Sequence, residues 1–167
     1  MSPSPRIVTV SSNGHKIGDT AIRFDDIQGL NNLQNAYGRS KLANLLFTYE
    51  MNRRIKASGL HVKPVACRPG TVKLNLLYGG PEMSQSKVAM WLRLYYLSAQ
   101  SAKMGALPEI YAATGDDISG GNYIGSSGFQ ESRGLPTKVQ SSEASHDIEV
   151  AGRLWNISEE LTGVHFI

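Results

Sequence analysis

The sequence predicts an α/β fold in which about three parallel strands are covered by helices. Short runs of β-branched residues alternate with longer segments of helical periodicity along the chain. Clusters of Ser, Asn, Gly and Pro separate these segments, as turns do. Strands that alternate with helices in this way form a parallel sheet with helices packed against it.

The first strand and the helix that follows carry the clearest patterns. The strand is predicted at Arg6–Val10, a β-branched run between Pro5 and a Ser-Ser-Asn-Gly turn. A helix is predicted from Asn35 or Ala36 to a stop at Ser58-Gly59. Its predicted apolar side is Leu42, Leu45, Leu46 and Tyr49, and its predicted polar side is Arg39, Glu50, Asn52, Arg53 and Lys56.

The second half of the chain continues the alternation. A strand is predicted at 61–67, an apolar helix at 88–96, a helix kinked by Pro108 at 101–114, and a strand at 120–125. The last helix is predicted to begin near Ser145 as its N-cap and to end at Gly163. Asp147 and Glu149 would lie in its first turn, and its predicted buried side is Ile148, Ala151, Leu154, Trp155 and Leu161.

Composition limits the class of protein. The 167 residues, 41% of them apolar, suffice for one domain with a core, expected over 1–167 with a flexible start at 1–5. The net charge is only +3 and the Lys and Arg residues are scattered along the chain, so no nucleic-acid partner is expected. Cys67 is the single cysteine, and no metal-ligand spacing, signal peptide or long apolar run is visible. We expect a cytoplasmic protein without a transmembrane segment, with peripheral membrane association as the alternative.

The most informative short pattern is Tyr37-Gly-Arg-Ser-Lys41. Residues four apart lie on one face of a helix, so the lysine can approach the tyrosine. A cation about 4 Å from a phenol, at an effective dielectric near 20, contributes roughly 4 kcal/mol toward loss of the phenolic proton. The pair could therefore exchange a proton with a substrate oxygen. The alternative is a surface tyrosine with a solvated lysine one turn away.

Three polar segments are expected to meet at one edge of the sheet. Ser11-Ser12 ends the first predicted strand, and Arg68-Pro69-Gly70 ends the second. The carboxyl ends of parallel strands face one crevice, where open α/β sheets bind their ligands. The helix that carries Tyr37 joins these strands, so it would begin near the same crevice.

In this order, Ile7–Ser12, Tyr37-x-x-x-Lys41 and Pro69-Gly70 resemble the short-chain dehydrogenase/reductase superfamily. The segments Tyr37–Phe47 and Leu154–Gly163 resemble its retinol-dehydrogenase-like branch. The resemblance covers nearly the whole chain. It implies the C-terminal half of a Rossmann-type, doubly wound parallel sheet.

The resemblance implies roles for matching residues. Ser12 would hydrogen-bond the reacting oxygen, Tyr37 would act as general acid/base, and Lys41 would assist Tyr37 and hold the nicotinamide ribose. The loop that approaches the nicotinamide would contain Pro69, Gly70 and Val72. The reaction would be hydride transfer between a nicotinamide cofactor and a small-molecule carbonyl or alcohol. NADP is expected ahead of NAD, although the residue that distinguishes them is not among these motifs.

A variable substrate loop is expected at 71–97. Its apolar members would suit a lipophilic, retinoid- or aldehyde-like substrate: Met83, Met90, Trp91, Leu94 and Tyr95. Packing of this segment on the core or on a dimer partner is the equally weighted alternative.

Two motifs of the resembled family do not occur in this sequence. They are Thr-Gly-x-x-x-Gly-x-Gly, which cradles the pyrophosphate, and Asn-Asn-Ala-Gly. We expect the first βαβ half to be absent and the chain to be truncated, so that strand 6–10 has an unpaired edge. The isolated chain would then bind NADPH weakly and be unstable or oligomeric, which a fluorescence titration with NADPH tests. The alternative function is a non-catalytic fragment, or pseudoenzyme, that associates with a full-length relative.

Overall fold

The computed structural model describes residues 5–29, 35–72, 100–128 and 131–166. Within these ranges the strands are Arg6–Val10 (β1), Lys63–Cys67 (β2), Tyr123–Ser126 (β3) and Pro136–Lys138 (β4). The α-helices are Ala36–Ala57 (α1), Ala102–Gly105 (α2), Leu107–Thr114 (α3) and Ile148–Thr162 (α4). Short 3₁₀ turns lie at Asn13–Lys16, Phe24–Asp26 and Glu143–His146.

The strands form one open sheet in the order β1-β2-β3-β4. β1 and β2 pair in parallel with Val10 opposite Cys67, and β2 and β3 also pair in parallel. β4 runs antiparallel to β3. The predicted α/β class is therefore confirmed, with a mostly parallel sheet that places the carboxyl ends of β1 and β2 side by side.

Helices cover both faces of this sheet. Along β2, side chains alternate between the faces, so Val65 and Cys67 pack with Ala112 of α3 while Ala66 packs with Leu45 of α1. On its other side, α1 packs against α4 through Leu42, Leu46, Ala151 and Leu154. α1 is therefore buried between the sheet and α4, which makes it a rigid support for side chains at its first turn.

The structure corrects part of the predicted polar side of α1. Arg39 and Glu50 are buried, although both were predicted on the polar side. The Glu50 carboxylate pairs with Arg53 and, at 2.6 Å, with the Nε of Arg54. A charge inside this layer is tolerated because it has such partners. The predicted stop is confirmed, since Gly59 adopts a left-handed conformation with φ +68° after the C-cap Ser58.

The segment 101–114 forms two helices rather than one kinked helix. α2 ends at Gly105 and α3 begins at Leu107, with Pro108 in the first turn of α3. A proline is favoured there because the first amides of a helix need no intrahelical acceptor. Sequence patterns also missed β4, whose three residues are too few to show a period and include Pro136 on an edge strand.

α4 begins differently from the prediction. Asp147, rather than Ser145, caps the helix, and its Oδ1 accepts a hydrogen bond of 2.9 Å from the Val150 amide. Ser145 is buried in the preceding 3₁₀ turn, where its Oγ donates to the Ser142 carbonyl at 2.6 Å. The predicted cap at Gly163 is confirmed by its φ of +69°.

The predicted buried side of α4 is correct in its middle and wrong at its ends. Ala151, Leu154 and Trp155 are buried. Ile148 and Leu161 are 63% and 59% exposed, because they lie in the end turns, outside the stripe that packs on α1.

Several predicted features lie outside the described residues. They are the flexible start apart from Pro5, the apolar helix at 88–96, and the substrate-loop residues Met83, Met90, Trp91, Leu94 and Tyr95. Across the described ranges, none of the helices has both the length and the apolar character needed to cross a membrane.

Candidate functional site

The two serines after β1 have different surroundings. Ser11 is buried, its amide donates to the Cys67 carbonyl at 2.7 Å, and its Oγ donates to the Lys41 carbonyl at 2.8 Å. Ser12 is half-buried, and its Oγ accepts a hydrogen bond of 3.2 Å from the Gly14 amide. Ser11 therefore joins β1 to β2 and α1, while Ser12 begins the Asn13–Lys16 turn and keeps its hydroxyl hydrogen to donate.

The first turn of α1 rests on the Asn13–Lys16 turn. A Cβ on Gly14 would lie 2.7 Å from Cε1 of Tyr37 and 3.7 Å from Oγ of Ser12. A Cβ on Gly38 would lie 2.9 Å from the Gly14 carbonyl oxygen. Two glycines thus let the helix and the turn approach closely, which places the Tyr37 ring beside Ser12. The Tyr37 side chain is 61% exposed, so it also faces solvent.

Lys41 lies one turn further along α1, on the side of Tyr37 that the spacing predicts. Its Nζ is 5.6 Å from the centroid of the Tyr37 ring. The same Nζ points to the Val10 carbonyl at 3.5 Å, and Nδ2 of Asn44 donates to that carbonyl at 3.0 Å. The end of β1 is therefore fastened to α1 by two side chains. Asn44 had no signal in the sequence beyond its place one helical turn after Lys41.

The loop after β2 is held by backbone contacts. The Gly70 amide donates to the Gly105 carbonyl at 3.0 Å, and Val72 pairs with Gln100 in a parallel bridge. A Cβ on Gly70 would meet the side-chain amide of Gln100, which would have to move to make room for it. Pro69 is exposed, whereas Gly70 is buried. The strand register puts this loop at the same edge of the sheet as Ser12.

An ion pair lies beneath this edge, in a part of the site that sequence patterns did not reveal. Arg68 is buried and its guanidinium pairs with Glu131, which Lys16 also approaches at 3.9 Å. Glu131 has a φ of +54°, which is uncommon for a residue other than glycine. The pairing spans 63 positions, so only tertiary structure could reveal it.

His15 is the other residue that sequence reasoning did not place at the site. The structure buries this histidine in the core. Burial lowers the pKa of His15, and nearby Lys16 and Arg68 act in the same direction. The imidazole packs edge-on against Tyr123 with ring centroids 5.8 Å apart.

The chemistry of the donor set fits a nicotinamide ribose. Lys41 offers an ammonium group and Tyr37 a phenol, on one helix face at the carboxyl edge of the sheet. The exposed Pro69 and the close-packed Gly70 leave loop backbone at the same edge. These residues could hold the nicotinamide end of a dinucleotide.

The fold is an open, mostly parallel α/β sheet, and a serine, a tyrosine and a lysine lie at its carboxyl edge. This is the class of fold and site that the short-chain dehydrogenase/reductase resemblance implies. Comparison with known proteins confirms the resemblance to the retinol-dehydrogenase-like branch. Retinol dehydrogenase 12 of Mus musculus is 33% identical over 169 residues, covering 99% of this chain and 48% of that protein. Retinol dehydrogenase 13 of Homo sapiens is 33% identical over 98% of this chain and 47% of that protein.

A solved structure supports the same architecture. The crystal structure of an uncharacterised protein from Mycobacterium paratuberculosis has a TM-score of 0.74 and 31% identity, covering 98% of this chain and 52% of that chain. No family model matches the sequence. The chain spans about half the length of the curated relatives it matches.

Proposed function

We propose that this chain carries the proton-transfer half of an NAD(P)-dependent oxidoreductase of the short-chain dehydrogenase/reductase type. The observation that carries the proposal is the meeting of Ser12 and Tyr37 at Gly14, with Lys41 beside the tyrosine ring. Ser12 begins the turn that follows β1, and Tyr37 lies in the first turn of α1. The close approach of Gly38 to the Gly14 carbonyl oxygen keeps these two turns together, so the arrangement is preorganised.

Each residue has a proposed task in the transfer. The Ser12 hydroxyl donates a hydrogen bond to the carbonyl oxygen of the substrate, and the Tyr37 hydroxyl gives a proton to that oxygen or takes one from it. Lys41 places a positive charge beside the Tyr37 ring and binds ribose hydroxyls together with Tyr37. When bound, the nicotinamide supplies or accepts the hydride.

The loop after β2 is the proposed wall of the nicotinamide site. Pro69, Gly70 and Val72 lie in a segment that two backbone hydrogen bonds and a bridge hold in place. Fixed backbone costs no further ordering when a ring packs against it, so the loop orients the cofactor. We propose NADP ahead of NAD, and a lipophilic aldehyde or alcohol as substrate because the similar proteins are named retinol dehydrogenases.

A chimera tests the proposed function. The half of mouse retinol dehydrogenase 12 that aligns with this chain is replaced by the chain, and NADPH oxidation with all-trans-retinal and with a simple aldehyde is measured. We expect turnover because the chain contributes Ser12, Tyr37 and Lys41. A folded chimera that binds NADPH but reduces neither substrate would contradict the proposal.

The second candidate function is a non-catalytic subunit that associates with a full-length relative. It is favoured by the position of β1, which lies at one end of the described strand order and carries the β-branched residues that edge pairing favours. The same chimera decides between the two, since a non-catalytic subunit would fold into it without supporting turnover.

A further inference from the structure

We propose that His15, in its neutral form, is a positioning residue that holds the Asn13–Lys16 turn against the 141–146 segment and thereby keeps Tyr37 beside Ser12. This inference rests on the proposed function, because the task it assigns is to place the proton-transfer groups. The His15 ring hydrogen-bonds neither the Ser12 hydroxyl nor the Tyr37 phenol, the two groups proposed to contact the substrate. It acts through the backbone of the turn.

Both ring nitrogens of His15 have backbone partners of fixed polarity. Nδ1 lies 2.5 Å from the Ser12 carbonyl oxygen, which can only accept. Nε2 lies 3.1 Å from the Ser142 amide nitrogen, which can only donate. The ring therefore donates through Nδ1 and accepts through Nε2, and only the neutral tautomer with its hydrogen on Nδ1 does both.

These two bonds join parts of the chain that are far apart in sequence. The Ser142 bond spans 127 positions and ties the turn to the chain just before the Glu143–His146 turn, which packs against α1. The backbone of the turn is held further by Thr20, whose Oγ1 donates to the His15 carbonyl at 3.0 Å. The His15 side chain is 1% exposed, so water cannot readily replace either partner.

The held turn is the surface on which Tyr37 lies. The Tyr37 ring occupies the open side of Gly14, one residue before His15, and Ser12 Oγ is close to the same point. Gly38 adds a close approach to the Gly14 carbonyl oxygen. A shift of the turn therefore changes the distance between Ser12 and Tyr37 directly.

Protonation would break this arrangement. A hydrogen on Nε2 would point at the Ser142 amide hydrogen, and the buried ring would carry an unpaired charge. The charged groups that face the ring are Lys16 on its own turn, Arg68 at the end of β2, and Glu131; Tyr123 of β3 presents its ring. Burial, Lys16 and Arg68 lower the pKa of His15, whereas Glu131 and the Ser12 bond raise it.

The test is an NMR measurement on the 167-residue chain that needs no turnover. The nuclear Overhauser effect between the Tyr37 ring protons and the Gly14 Hα protons is followed with pH, together with the His15 Hε1 resonance. We expect the effect at neutral pH and its loss at the pH where His15 titrates, with a midpoint below the ordinary value of about 6.5. Persistence of the effect below that midpoint would overturn the proposal.

Three variants separate positioning from general stability. His15→Leu should lose the effect at every pH, whereas His15→Gln, whose amide both donates and accepts but does not titrate, should keep it across the range. His61→Leu is the matched control, since His61 is exposed and lies just before β2, at the opposite end of that strand from the site, and it should behave as wild type. If His15→Leu does not fold, the wild-type titration and the pH-independent His15→Gln variant still decide the matter.

Failure of the positioning role and failure of the proposed function give different results. A chimera without turnover would remove the proposed reaction and leave the Tyr37–Gly14 effect unchanged. An active chimera whose His15→Leu variant keeps both that effect and the wild-type kcat would remove the positioning role alone.

Discussion

We expect Tyr37→Phe, made in the retinol dehydrogenase chimera, to lower the rate of retinal reduction by about 10²- to 10⁴-fold. The variant removes the hydroxyl that would pass a proton to the substrate oxygen, and it keeps the ring that lies over Gly14. Because the Tyr37 side chain is largely exposed, its hydroxyl contributes little to folding, and the melting temperature should stay at the wild-type value. Steady-state NADPH oxidation and thermal unfolding measure the two effects.

Tyr111→Phe is the matched control for this prediction. Tyr111 lies on α3, which packs on the other face of the sheet from α1. Its hydroxyl donates a hydrogen bond of 2.7 Å to Asp117. Turnover should therefore be unchanged in this variant. Equal activity of Tyr37→Phe and wild type would show that the phenol takes no part in the reaction.

Trp155→Ala is expected to cost about 3–5 kcal/mol of unfolding free energy. The indole is 2% exposed, stacks on Phe47 with ring centroids 4.8 Å apart, and lies under the Arg54 guanidinium at 4.8 Å. Its Nε1 also donates to Glu159 at 2.9 Å. Truncation leaves a cavity between α1 and α4 and removes the stacking partner of Phe47. Urea unfolding followed by circular dichroism measures the change.

Ile148→Ala serves as the control on the same helix. Ile148 is 63% exposed in the first turn of α4, so its truncation should change the unfolding free energy by no more than about 0.5 kcal/mol. A cost for Ile148→Ala as large as that for Trp155→Ala would mean that α4 packs on α1 through a different face.

The elements that the sequence predicted well are those whose cause is local. β1 is a run of β-branched residues, and α1 has apolar side chains at helical spacing and a stop at Gly59. The closing Gly163 of α4 takes the left-handed conformation that its place after the last apolar residue predicts. The sequence also predicted where Ser12, Tyr37 and Lys41 lie along these elements. The end of a strand and the four-residue spacing on a helix are both visible in the local sequence.

The errors have a different cause. Ile148 and Leu161 follow the helical period, yet they lie beyond the part of α4 that α1 covers. Glu50 is buried although it occupies a polar position in the helical pattern, and Arg53 and Arg54 offset its charge. β4 is too short to have a period, and it exists because β3 offers it an edge.

The sequence by itself determined the α/β class, the positions of β1, α1 and β2, and the set of Ser12, Tyr37, Lys41 and Pro69-Gly70 as candidate groups. Tertiary structure decided which serine is held in the interior, that Tyr37 lies on Gly14, and that His15 joins the turn to Ser142 across 127 positions. Local patterns record backbone preference and the period of burial. Contacts between distant segments depend on how the layers stack, and no local pattern encodes that.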